Sequence, residues 1–502
     1  MNSSLNAARR ARDLGEARES VADLLVVGLG ATGAGVALDA ASRGLSVVAI
    51  DAHDLAFGTS RWSSKLIHGG LRYLAKGQVG VAWESAVERD ALMCRTAPHL
   101  VRAQPYLMPL TPEVSAAQAT VTMTGYRLGD VLRAAAGTPR RTLPGPSRVD
   151  ASRAVELVPA LREAGLRGGL VSFDGRVVDD ARLVVAIART AAAHGARIVT
   201  RCRALELSGS GVQARDELTG ETFTLRARKV VNAAGVWAGG LSPAVRVRPS
   251  RGTHLVLREG ALGPLRAGMH VPIPGETARF VLVLPQADGR VLVGLTDEPL
   301  DGPVPDVPEA PEADVVFLLD VLGSVLRTPL VPADVAGAYA GLRPLLDGGG
   351  RTADLSRRHA VLTGPDGVVT IVGGKLTTYR RMARDAVDAA FPEAPPSRTE
   401  RLLLVGGPVG GAVGGAAAGV PRRLSERYGS EAAAVHRLGE GRPDEGLPLG
   451  VTVAELEWGV RHEGALDTAD LLDRRTRIGL VPEDRATALP IAERVIRDVC
   501  GG

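Results

Sequence analysis

The spacing of apolar and polar positions changes character several times along the chain. Leu24–Val27 is a short unbroken apolar run, which reads as a strand buried on both faces. Glycines follow at 28, 30 and 33, then an alanine-rich stretch to about Ser42 that reads as a helix ended by Gly44. A second buried strand, Val47–Ile50, finishes at Asp51. Val178–His194 has helical spacing, with Asp179 or Asp180 as cap and Gly195 as terminator, and the strand Arg197–Cys202 follows. Lys229–Ala238 runs from a strand into small residues. Val368–Val372 does the same into Gly373-Gly374, and a helix is predicted over Tyr379–Ala390. Between these lie short β-rich runs, His254–Leu257, Arg279–Leu284 and Val291–Gly294, separated by Pro, Gly and Asp turns.

This order predicts an α/β fold with a helical end. Residues 22–95, 160–250 and 340–391 form a discontinuous Rossmann-like cofactor domain. Residues 96–159 and 251–339 form an antiparallel-sheet substrate domain. Residues 392–421 read as a linker and 422–502 as a helical C-terminal domain, as in Thr452–His462 and Thr468–Arg475. Residues 1–21 are polar, carry Arg9, Arg10, Arg12 and Arg18, and have no apolar segment. They read as a flexible extension and not as a secretory signal.

Composition narrows the function classes. The chain has 502 residues, 45% hydrophobic and 23% charged, which is ordinary for a globular protein. Aromatics make up 3%, and 60 basic residues are scattered among 56 acidic ones, so no nucleic-acid footprint is indicated. A basic face resting on an anionic membrane stays open. The uncharged run Leu402–Pro421 contains Pro408 and many glycines, a poor spanning helix. Cys94, Cys202 and Cys500 form no CxxC, which fits a reducing compartment and gives no cysteine metal site.

The chemistry starts at the βαβ unit. Gly28 allows a tight turn, Gly30 lets backbone approach a pyrophosphate, and Gly33 lets helix and strand pack closely. Ala31 and Thr32 open the helix whose N-terminus offers N–H groups to an anion, and Asp51 accepts from ribose hydroxyls. The loop from Thr59 to Tyr73 adds Thr59, Ser60, Ser64, Lys65, Leu66, His68, Gly69 and Gly70, a mixture suited to phosphates and a ligand ring system. The unit alone does not separate NAD from FAD. Two later anchors, at Ala234-Gly235 and at Gly374-Lys375-Leu376-Thr377, supply backbone approach at further points, and together the three read as FAD binding. Only four residues are lysine, and Lys65 and Lys375 both sit in Gly/Ser-rich loops, which favours a need for a compact ammonium. Arg72, Arg343 and Arg357 could clamp an anionic substrate. Gly373-Gly-Lys-Leu is not a phosphate-binding P-loop, because Val369 and Leu376 stand where Gly and Ser/Thr are required.

The segments Asp23–Gly35, Thr59–Tyr73, Val178–Leu183, Asn232–Trp237, Gly252–Leu255, Gly341–Leu345 and Gly373–Arg380 closely resemble the FAD-dependent respiratory glycerol-3-phosphate dehydrogenases. The likeness runs in order over residues 22–385 and more weakly around Ala454–Gly479. Gly28-Leu-Gly30 in place of three glycines, Arg61-Trp62 and Arg358 depart from the pattern. The resemblance implies oxidation of sn-glycerol 3-phosphate at C2 to dihydroxyacetone phosphate, with hydride transfer to flavin N5 and electrons passed to quinone. It implies a substrate site of Arg72, Tyr73, His254, Arg343, Arg357 and Lys375. Chemistry favours His254 as base and Arg343 as stabiliser of the developing oxyanion. The resemblance further implies a cytoplasmic homodimer in peripheral contact with the inner face of the cytoplasmic membrane. Two other readings share the cofactor domain. One is an FAD-dependent amine or amino-acid oxidase that binds a carboxylate and uses oxygen, and the other is a non-enzymatic flavin-binding protein.

Overall fold

The structure, a computed structural model, describes residues 2–70, 77–276, 279–347, 358–408, 419–441, 443 and 445–500. Two sheets carry it. In the first, Val21–Val27 is central. It pairs in parallel with Val47–Ile50 on one side and with Thr222–Asn232 on the other, where Val27 lies opposite Asn232. Val369–Val372 adds to the far edge of Thr222–Asn232, again in parallel. Leu24, Leu25 and Val26 are fully buried, as expected where both faces are covered. The helices Ala31–Ser42, Asp180–Ala193 and Tyr379–Ala390 cover one face. A Cβ on Gly35 would lie 2.9 Å from the Tyr379 ring, so glycine is what lets two of these helices approach.

Among the described residues the second sheet has ten strands. Val247–Leu257 pairs along its length with Val335–Leu346, and Val291–Gly294, Phe280–Pro285 and Gly268–Pro272 follow in order on its other side. Alternation decides what each face does. Leu255, Val281, Val283 and Val293 pack with Leu318 and Leu322 of the helix Glu312–Gly323. The intervening positions face the other way. Tyr339, His254, Gly294, Leu282 and His270 are direct partners on successive strands and form one row on that face.

Several expectations need correcting. Gly169–Val177 and residues 340–346 belong to the second sheet, not to the cofactor domain. Residues 1–21 are no loose extension. Ala7–Glu19 is a helix capped by Asn6, and its Arg10 is 7% exposed and 2.7 Å from Asp216. Polarity misled here because the buried charges have partners on the main body. The expected strand Arg197–Cys202 breaks at Arg201, whose φ is +54°, into Arg197–Val199 and Cys202–Ser208. The helix expected over Thr468–Arg475 is present, and its last six residues, Asp470–Arg475, are π-helical. Within 392–408, Leu404 is 2% exposed and its N–H donates to the Thr96 carbonyl, so this part of the predicted linker packs on the body.

The C-terminal helices dock through buried charge. Arg474 and Arg475 both reach Asp54, at 2.6 and 2.8 Å, and Arg427 reaches Asp179 at 2.9 Å. Arg182 pairs with Glu463, which is fully buried. Removing one partner from such a pair leaves an uncompensated charge and costs roughly 3–5 kcal/mol.

Candidate cofactor and substrate site

Two cavities meet at the carboxyl ends of the parallel strands, where open α/β sheets bind ligands. The first measures about 610 Å³ and is lined by Gly28, Gly30, Ala31, Thr32, Asp51, Thr59, Ser60, Ala234, Gly235, Gly374, Lys375 and Leu376. The glycines here are sterically required. A Cβ on Gly28, at φ +102°, would lie 2.6 Å from the Ala233 carbonyl oxygen, and one on Gly33 would lie 1.8 Å from the Gly28 oxygen. Gly33 lines neither cavity, and its part is to bring helix and strand together. The helix Ala31–Ser42 has Gly30 at its N-cap and no capping side chain there, so its positive end faces the cavity. Ser60 Oγ accepts from Ala31 N at 2.9 Å. The Asp51 carboxylate accepts from Leu29 N at 2.7 Å and His53 N at 2.8 Å, and burial pushes its pKa up to about 6. Asn232 holds the second anchor from below, accepting from Ala234 N and donating to the Ala238 carbonyl.

The second cavity, about 420 Å³, shares Thr59, Ser63, Pro344, Gly374, Lys375 and Leu376 with the first. Ser64, Leu66, His68, His254, Arg343 and Thr377 also line it. His254 is 2% exposed, stacks on Tyr339 at 4.9 Å between ring centroids, and pairs through Nε2 with Ser64 Oγ at 2.9 Å. Its Nδ1 is buried and has no hydrogen-bond partner among the described residues. Burial, with Lys65 and Arg343 nearby, holds the imidazole pKa well below its usual value, so the ring is neutral at pH 7. Arg343 donates to Ser250 Oγ at 3.2 Å and to the Thr296 carbonyl at 3.0 Å, with Asp297 3.5 Å away. The Lys375 ammonium donates to Ser85 Oγ. Among the described residues no His, Cys, Asp or Glu group is placed to hold a metal ion.

The comparisons agree with this geometry. Residues 23–380 match the family described as FAD dependent oxidoreductase, and residues 369–501 match the C-terminal domain of alpha-glycerophosphate oxidase. Glycerol-3-phosphate dehydrogenase 1 of Mycobacterium tuberculosis (strain ATCC 25618 / H37Rv) is 51% identical over 99% of each chain. The chain belongs to the FAD-dependent glycerol-3-phosphate dehydrogenase family. Among solved structures, the family member from Bacillus halodurans, complexed with FAD, aligns with a TM-score of 0.74 at 28% identity, covering 99% of this chain and 97% of that one. A glycine oxidase from Geobacillus kaustophilus aligns at 0.53 with 19% identity, covering 76% and 98%, which shows a shared fold alone.

FAD is the cofactor of this family, and the first cavity fits it. A helix N-terminus that opens at Gly30, with no side chain at its N-cap, suits a pyrophosphate, Asp51 suits a ribose, and the Gly373-Gly374 turn forms the wall shared with the second cavity. Not every family residue sits where the sequence pattern put it. Lys65 lines neither cavity. Its Nζ is 1% exposed at the side chain, donates to Asp180 at 2.7 Å and to the Arg61 carbonyl at 2.6 Å, and cannot reach a phosphate. Its φ of +57° turns the side chain inward toward that carboxylate. Gly69 and Gly70 line neither cavity, and Gly69 N donates to Asp174 instead. Arg72, Tyr73 and Arg357 lie outside the described residues.

Some lining residues were not read from the sequence. His53 and Phe57 stack at 3.8 Å on the wall of the first cavity, with the Arg474 guanidinium 5.7 Å from the Phe57 ring. Trp62, Tyr126 and His270 line the second. His53, two residues after Asp51, had a positional signal. His270 had only its even place in an alternating strand.

Proposed function

We propose that this protein oxidises sn-glycerol 3-phosphate at C2 to dihydroxyacetone phosphate and passes the electrons to a quinone. One observation carries the reading: His254, Arg343 and Lys375 meet on a cavity that shares its wall with the FAD cavity. Arg343 and Lys375 supply positive charge for a phosphate ester and for an alkoxide developing at C2. His254 supplies a neutral ring nitrogen to take the C2 hydroxyl proton. A phosphate beside it raises its proton affinity, because a nearby anion favours the imidazolium. FAD held in the first cavity would supply, at flavin N5, an acceptor for the C2 hydride. Arg72, Tyr73 and Arg357 complete this proposed site on the strength of the family pattern.

The protein would work as a cytoplasmic homodimer in peripheral contact with the inner face of the membrane. Among the described residues no helix is long and apolar enough to cross a bilayer. The helix Ala116–Ala135 buries only Tyr126 and Arg133. It presents Val121, Leu128 and Val131 to solvent beside Val79 and Trp83 of the helix Val79–Asp90. This apolar face supports peripheral contact. Anaerobic addition of glycerol 3-phosphate to the yellow protein tests the chemistry. Bleaching of the flavin band is expected. Bleaching by an amino acid, with none by glycerol 3-phosphate, would replace this reading with the oxidase one.

A further inference from the structure

One wall of the first cavity is a loop. From Asp51 to Gly58 the chain adopts neither helix nor strand, yet Asp51, His53, Phe57 and Gly58 all line the cavity from it. The sheet holds only its first part: Asp51 N donates to the Val199 carbonyl at 3.1 Å, and the His53 carbonyl accepts from Arg201 N at 2.7 Å. Beyond His53 the backbone turns sharply, with Ala56 at φ +60°. A turn with few ladder bonds opens easily unless its side chains are gripped. Here the gripped side chain is Asp54, which lines neither cavity and points to the other side of the loop.

Asp54 is 1% exposed and accepts three bonds from two consecutive residues of the C-terminal domain: from Arg474 Nε at 2.6 Å, and from Arg475 Nη1 and Nη2 at 2.8 and 2.9 Å. The π-helical stretch that carries them buries Leu471 and Leu472 in the core of its own domain, so its arginines stand on a fixed base. Arg474 also donates to Asp470 and brings its guanidinium to 5.7 Å from the Phe57 ring. Arg201, whose N–H holds the His53 carbonyl, reaches the same Asp470 through its side chain at 2.7 Å. Neither Arg474 nor Arg475 lines a cavity. The outer side of the loop is thus held by charge from a segment 420 positions away, while its inner side faces the cofactor cavity. A second ion pair joins the same two domains elsewhere. Arg189 meets Glu431 through two bonds of 2.7 Å, and neither residue lines a cavity.

We infer that Arg474 and Arg475, acting through Asp54, are positioning residues for FAD, and that the C-terminal domain retains the cofactor by fixing the Asp51–Gly58 loop from behind. The inference rests on FAD occupying the first cavity and is independent of which alcohol and which acceptor the enzyme uses. A buried carboxylate that accepts three bonds from two guanidiniums has one favourable position, because any displacement leaves charge uncompensated. Asp54 in that position sets the backbone of its neighbours: His53 is adjacent, and Asp51 and Phe57 are each three residues away. Without Arg474 the carboxylate keeps only part of its grip, the Phe57 ring loses the guanidinium beside it, and the wall loosens. The coupling is reciprocal, so bound FAD in turn strengthens docking of the C-terminal domain.

The test measures FAD retention and stability separately on the full-length holoenzyme. The FAD Kd is read from the rise in flavin fluorescence as the holoenzyme is diluted, and Tm is read at saturating FAD. Arg474→Met is expected to raise the FAD Kd at least about tenfold and to lower Tm. Glu431→Gln breaks the other interdomain pair, and it should lower Tm with the FAD Kd changed less than about twofold. The double variant Arg474→Met/Asp54→Asn removes one charge of each sign from the cluster, so its Tm should recover relative to Arg474→Met. Its FAD Kd should stay at least about fivefold above wild type, because residue 54 has lost the grip of Arg474. A pair that served stability alone would recover both. Wild-type FAD affinity in Arg474→Met overturns the inference. So does recovery of both quantities in the double variant, or a Kd raised as much by Glu431→Gln as by Arg474→Met. Should Arg474→Met fail to fold, the double variant decides: a raised Kd upholds the positioning role and a wild-type Kd overturns it.

Discussion

His254 and Gly294 face one another across two antiparallel strands, and a Cβ on Gly294 would lie 2.4 Å from His254 Cδ2. Glycine at 294 is therefore the space in which the imidazole sits. Gly294→Ala is expected to push the ring off Ser64 and away from its working position. Displacements on the order of 1 Å cost up to about a hundredfold in rate, so kcat/KM for glycerol 3-phosphate should fall by at least about tenfold. FAD content, measured by flavin absorbance per protein, should stay near that of the wild type. Parallel loss of FAD and activity would show that residue 294 acts on the whole fold instead.

Gly33→Ala tests the cofactor end. The added Cβ meets the Gly28 carbonyl at 1.8 Å, and backbone cannot rotate away as a side chain would. The helix must lift from the strand, at a cost of about 1–3 kcal/mol or more. Lower FAD affinity and a lower Tm are both expected. Full FAD occupancy with wild-type Tm would contradict the packing role.

Lys65 supplies a third test, because the family pattern and the geometry point different ways. Lys65→Met leaves the Asp180 carboxylate buried without its cation, at a cost of roughly 3–5 kcal/mol. Adding Asp180→Asn should return part of that loss, since the charge is then gone. Urea unfolding of the single and double variants reads the coupling. A simple rise in KM for glycerol 3-phosphate, with stability unchanged, would restore a ligand-binding role.

The pH dependence of stability follows from buried histidines. Burial lowers the His99 pKa to about 4 from its usual 6.5, with Arg182 and Arg102 adding to the effect. Below 6.5 the unfolded chain takes a proton there that the folded chain refuses, so folding stability falls as pH falls. Relative to His99→Gln, the wild type should lose roughly 1.4 kcal/mol per pH unit between 6.5 and about 4. Unfolding curves at pH 7, 6 and 5 measure the difference. A constant difference would mean His99 protonates freely in the folded protein.

Much of the cofactor site was readable along the chain because its parts are local. The strand, glycine turn, helix and terminal acid from Leu24 to Asp51 lie within one βαβ unit, and Val47–Ile50, Ala31–Ser42 and Tyr379–Ala390 fall where apolar spacing and glycines put them. Short β-rich runs between turn residues likewise predicted the strands around His254. Each of these signals needs only neighbouring residues.

Contacts between distant segments were not readable in that way. Lys65 and Asp180 are 115 positions apart, and nothing local tells a buried ion pair from a phosphate-binding lysine. The Ala7–Glu19 helix looked like a solvated tail because its partner Asp216 comes some 200 residues later. The row from His254 to His270 exists only through the register of four strands, which side-chain period alone leaves open. Period and turn chemistry are properties of a few consecutive residues and so are written in the chain. Register, burial of charge and the shape of a cavity arise from which segments meet, and that is decided when the sheets and helices pack.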